Sequence, residues 1–99
     1  MVKLLMSWNI RSGYENEHLE FFVREFGPGL LELGVRTSDA WYTYYGDHPQ
    51  ILTGGVAEDL ETLQRALASE EWIKLKAKLL TYVTDYSQKV IRASGGFQL

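Results

Sequence analysis

The side chains best equipped for chemistry in this 99-residue sequence are two histidines, an Asn–Arg pair and a knot of aromatics. His18 is a candidate base, because an unperturbed imidazole titrates near neutrality. It also stands one residue ahead of an apolar helical stripe, which fits a solvent-edge residue. His48 precedes Pro49 in a turn cluster and reads as a surface residue. Two histidines with no fixed spacing do not compose a metal site, and no metal is expected. Asn9 and Arg11 project from one face of a strand near its end. Together they offer a neutral donor and a charged fork to a carbonyl or anionic oxygen. The same pair fits a hydrated strand edge.

Trp41, Tyr42, Tyr44 and Tyr45 form the densest aromatic cluster. Alternation sends Trp41 and Tyr45 to one side and Tyr42 and Tyr44 to the other. One pair should face the core, the other a dimer surface or a pocket. Aromatic walls with a few polar tips suit a planar organic ligand, although core and interface packing is the commoner use of such residues. Asp39 and Asp47, which flank the cluster, fit turn and capping roles.

Composition narrows the classes of function. The formal charge of −3 argues against a generic binder of phosphate backbones. Zero cysteines exclude disulfides, thiolate metal sites and a thiol nucleophile. The apolar start, Met1 to Trp8, is too short for a signal peptide or a membrane span, so a soluble, cytoplasmic protein is expected. No linker, repeat or low-complexity stretch interrupts residues 1–99, which read as one domain.

The elements that must position these residues follow from periodicity. Val2 to Ile10 alternates with period two, with Val2, Leu4, Met6, Trp8 and Ile10 on one face, as in a half-buried strand. Leu19, Phe22, Val23, Phe26, Leu30 and Leu33 form one helical stripe. Gly34 is a natural stop. Gly27-Pro28-Gly29 inside that stripe predicts a kink or restart at Pro28. Thr37 to Gly46 reads as a strand, Gly46-Asp47-His48-Pro49 as a turn, and Gln50 to Val56 as the returning strand of a hairpin. Gly54 and Gly55 there predict a bulge or a close backbone approach. Asp59 to Val83 is helical, broken or bent at Ser69, which can cap the second part. Glu58, Asp59 and Glu61 suit the positive end of the helix dipole. Ser87 to Ala93 reads as a short last strand.

The order β-α-β-β-α-β predicts a ferredoxin-like α+β domain, a four-stranded antiparallel sheet with helices on one face. The uncovered face carries aromatics, and a homodimer closing sheet against sheet would bury it.

This order resembles the dimeric α/β-barrel superfamily, as do Ala40-Trp41-Tyr42-Thr43-Tyr44-Tyr45-Gly46 and Leu67-Ala68-Ser69-Glu70-Glu71-Trp72 leading into a long helix. That superfamily includes antibiotic-biosynthesis-type monooxygenases, NIPSNAP-like proteins and heme-degrading enzymes. The resemblance spans almost the whole chain through diffuse motifs. The heme-degrading branch carries a strand asparagine, a helix tryptophan and an iron-ligating histidine farther along that helix. Asn9 and Trp72 answer the first two, Trp72 nearer the place of that branch's downstream aromatic. The histidine position falls near Lys76, and no histidine follows His48, so heme degradation and other cofactors are not expected.

Two functions follow as expectations. One is a dimer binding a small aromatic or apolar ligand between sheet and helices. The other, implied by the resemblance, is a cofactor-independent monooxygenase acting on an electron-rich aromatic. There Asn9 and Arg11 would hold substrate oxygens, His18 or Tyr42 would handle the proton, and Trp41 and Tyr44 would line the ring's site.

Overall fold

The computed structural model describes residues 1–45 and 48–92, without the side chains of residues 39, 44, 45, 48 and 49. Its elements are β1 (Val2–Ile10), α1 (Glu15–Phe21), a π-helical turn (Phe22–Phe26), α2 (Gly27–Glu32), β2 (Arg36–Tyr45), β3 (His48–Ala57), α3 (Leu60–Leu67), α4 (Glu70–Tyr82) and β4 (Val83–Arg92). The four strands lie in the order β2-β3-β1-β4, each antiparallel to its neighbours. β1 and β2 therefore run the same way with β3 between them, the split crossover of a ferredoxin-like fold.

The even-numbered residues of β1 are buried beneath the helices. Lys3, Leu5, Ser7 and Asn9 point to the other face and are only partly covered. Leu4, Met6, Trp8 and Ile10 form the floor of the core, with Phe26, Leu30, Leu63 and Leu79 above them. Trp8 is its centre: Tyr86 stacks on the indole at 5.9 Å, and Phe26 meets it edge-on at 5.8 Å.

The first helical segment departs from the sequence reading in one instructive way. The restart expected at Pro28 is present, since α2 begins at Gly27 with Pro28 in its first turn, but it comes through a wide turn that keeps the chain helical, with Gly27 N–H reaching back to Phe22 O. A proline ring collides with the carbonyl four residues earlier, and a wider turn relieves that collision. The extra residue shifts the phase of the helix. Beyond it the expected stripe holds, with Phe26 and Leu30 buried. Before it the buried positions are His18 and Phe21, while Leu19 and Val23 are exposed. The segment ends as expected at Gly34, whose φ is +90°. Val35 N–H bonds to Leu30 O and Gly34 N–H to Leu31 O, the paired closure of a Schellman motif.

The other boundaries follow their predicted signals with shifts. Asp59 caps α3 by accepting from Thr62 N–H at 2.8 Å, and this bond holds its carboxyl below the usual carboxylate range. Ser69 caps α4 through Trp72 N–H at 3.1 Å. β4 starts at Val83 rather than Ser87, and it carries an irregular register beside Asp85, a non-glycine residue at φ 56°. Of the expected hairpin turn, residues 46 and 47 lie outside the described residues, and the backbone of His48 and Pro49 already belongs to β3. Of the two alternatives for the β3 glycines the bulge is the one found, and the close neighbour of Gly55 is a side chain rather than backbone. A Cβ on Gly55 would come within 2.6 Å of Val35 Cγ1, and one extra β2 residue lies between Thr37 and Ala40, opposite Gly54.

Candidate functional site

The one-residue phase shift of the first helix determines the site. It turns His18 inward from the expected solvent edge, to 2% exposure, above the inner face of the sheet. Trp8 Nε1 donates to His18 Nε2 at 2.9 Å. Phe22 stacks on the imidazole at 5.8 Å. Burial disfavours the charged ring and lowers its pKa from 6.5 to about 4. His18 is therefore neutral at physiological pH. Because the indole N–H can only donate, the ring must keep its Nε2 lone pair for it and hold its own proton on Nδ1.

His18 lines a cavity of about 280 Å³ between α1 and the β2–β3 ribbon. Leu19, Phe22, Ala40 and Ile51 provide apolar wall, and Tyr42 joins them. Tyr42 shares the helix-covered face because it lies across from Ile51, which itself lies across from buried Trp8. Trp41 lies across from Leu52, on the uncovered face, yet still contributes to the cavity lining.

The structure thus brings His18, Tyr42 and Trp41 to one place, and it puts Asn9 and Arg11 elsewhere. Asn9 is on the opposite face, where its Nδ2 donates to Asp85 Oδ2 at 3.0 Å. Arg11 lies at the end of α4: its backbone N–H bonds to Tyr82 O at 2.8 Å and its guanidinium to Leu80 O at 3.4 Å. A cation there satisfies terminal carbonyls and complements the helix dipole. The side chain of Tyr44 lies outside the described residues. Among the described residues, no three His, Asp or Glu side chains gather to hold a metal ion, and no helix is long and apolar enough to cross a membrane.

Sequence reasoning missed Trp8 as a site residue. The available signal was chemical: a tryptophan on the buried face of a strand needs an acceptor for its N–H, and His18 stands on the next element.

The comparisons with known proteins match this geometry at the level of fold. No family model matches the sequence, and no match is found among curated proteins. Solved structures do match. A NIPSNAP domain protein from Burkholderia xenovorans is 16% identical over 99% of each chain, with a TM-score of 0.69. A second, NIPSNAP-like protein from that organism is 22% identical over 99% of this chain and 90% of its own, with a TM-score of 0.69. A Deinococcus radiodurans protein described as a candidate antibiotic biosynthesis monooxygenase is 16% identical over 100% of this chain and 98% of its own, with a TM-score of 0.72. The chain has the ferredoxin-like fold that these proteins share. At such identities the likeness carries the fold and not the chemistry.

Proposed function

We propose that this chain binds a small, flat, largely apolar organic molecule in the cavity between α1 and the β2–β3 ribbon. The observation that carries this reading is His18, a buried neutral imidazole on the wall of an otherwise mostly apolar and aromatic cavity. Small-molecule sites commonly combine apolar walls with a few fixed polar groups. A homodimer paired through the uncovered face belongs to the same reading. That face exposes Trp41 by 56% and Leu52 by 44%, neighbours across the β2–β3 ladder. Contiguous apolar surface of this kind favours a partner.

The test is a thermal-shift screen of aromatic fragments. A ligand at 100 times its Kd adds about 2.7 kcal/mol of stability, which in a domain this small raises Tm by several degrees. A flat screen across aromatic and aliphatic fragments contradicts the reading.

A second reading, cofactor-independent oxygenation of an aromatic, draws on the fold shared with the monooxygenase-like neighbour and on Tyr42 beside His18. In it Tyr42 relays the proton, its hydroxyl oxygen accepting from the substrate as it gives its own proton to water, because His18 has no lone pair to offer. Oxygen uptake with a panel of quinols decides it: no consumption above buffer removes the enzymatic reading and leaves the binding one.

A further inference from the structure

We propose that the Nδ1–H of His18 is the group that recognises the ligand. It donates to an acceptor oxygen, most simply a carbonyl, at one edge of an otherwise apolar molecule. The inference rests on the ligand-binding reading of this cavity and narrows it.

Trp8 is fully buried, and its indole N–H holds the Nε2 side of the imidazole at 2.9 Å. With Nε2 occupied, the neutral ring presents a donor and no acceptor on its remaining side. That donor has no hydrogen-bond partner among the described residues, although the side chain is 2% exposed. Buried donors are almost always satisfied. An acceptor entering the cavity supplies the missing bond, whereas a hydrocarbon of the same shape does not.

The neighbouring polar groups serve that oxygen less well. Glu15 also lines the cavity, but a carboxylate only accepts, and its Oε1 already takes the Gly13 N–H at 3.1 Å. Asn16 and Tyr42 are exposed, so water competes for their bonds. His18 alone among these four is both buried and rigidly held. Phe22 stacks on it and Trp8 meets it edge-on, with ring centroids 5.9 Å apart. Held this way, the imidazole polarises a carbonyl or steadies an oxyanion without taking a proton, as neutral histidines can.

The experiment compares 1-indanone with indane, two bicyclic probes of nearly equal shape that differ by one carbonyl. Titrations are followed by NMR on protein labelled at histidine nitrogen. The expected result is about 10-fold tighter binding of 1-indanone, equivalent to one hydrogen bond of ordinary strength, with a shift of the His18 Nδ1–H resonance that indane does not cause. In His18→Gln the amide oxygen can still accept from Trp8, but no donor stands at the Nδ1 position, and the preference should vanish. Equal affinities in the unaltered protein, or a preference that survives in His18→Gln, overturn the proposal and leave the cavity a binding site. Binding of neither probe overturns the reading of the cavity with it. If His18→Gln does not fold, the unaltered protein decides alone: an Nδ1–H shift specific to 1-indanone supports the proposal, and equal shifts end it.

Discussion

The two faces of the sheet use similar residues to opposite ends. On the helix-covered face, Trp8, His18, Phe22 and Tyr86 form an aromatic group in which the hydrogen bond between the Trp8 and His18 rings is buried and directional. Burial also drives the Tyr86 hydroxyl well above its ordinary pKa, and it donates to Gln88 Oε1 at 2.7 Å. On the other face, Ser7 meets Ser87 at 2.9 Å and Asn9 meets Asp85 at 3.0 Å, both in contact with water. Bonds of that kind exchange with solvent at little net gain. Chemical specificity in this molecule is therefore stored on the helix-covered face. An unsatisfied donor has consequences only where water cannot replace the missing partner.

The contrast can be broken most forcefully at Trp8. Replacing it with alanine opens a cavity in the core and leaves His18 Nε2 unpaired, so Trp8→Ala should cost about 3–5 kcal/mol in denaturant unfolding. That is a large part of the roughly 5–15 kcal/mol that holds an ordinary domain together.

A second way to sharpen it is pH. The folded pKa of His18 is depressed, from 6.5 to about 4. Between those values the unfolded chain binds more protons than the folded one, so stability rises with pH. The contribution is complete above pH 6.5 and is lost as pH falls toward 4. It is on the order of 3 kcal/mol, and His18→Gln should flatten that part of the profile.

On the uncovered face the expected effect is on assembly. Leu52→Lys should leave the isolated fold nearly as stable, within about 0.5 kcal/mol. Light scattering at micromolar concentration should read twice 11.4 kDa for the unaltered chain and 11.4 kDa for the variant. A reading of 11.4 kDa for both contradicts pairing through this face. The smallest effect belongs to Asn9→Ala, which removes one exposed hydrogen bond. It should change stability by under about 1 kcal/mol and leave fragment binding in the thermal-shift screen unchanged. A loss of binding would show that the two faces are not separate in function.

Much of the fold was legible in the sequence because its signals are local. β1 matches its alternation residue for residue, Gly34 stops the helix, and Asp59 and Ser69 begin the two later ones. β4 was half hidden, since Thr84 to Tyr86 carries no clear period and Asp85 adopts a conformation that few non-glycine residues take. The site was legible as residues and not as a place. His18, Tyr42 and Trp41 stood out by type, but periodicity with a regular turn put His18 at the solvent edge. A single wide turn before Pro28 reverses that position, and no pattern based on 3.6 residues per turn contains it. Asn9 looked equal to His18 because both are versatile side chains. Only the direction of the β1 pleat and the register with β4 separate them.

The central claim is that His18 is a buried, neutral imidazole protonated on Nδ1 and fixed by Trp8. Nitrogen chemical shifts of its ring, followed from pH 7.5 downward, measure this directly. A protonated Nδ1 and an unprotonated Nε2 are expected at neutral pH, with titration delayed to about pH 4. An Nε2-protonated ring, or a midpoint near the ordinary 6.5, would contradict it.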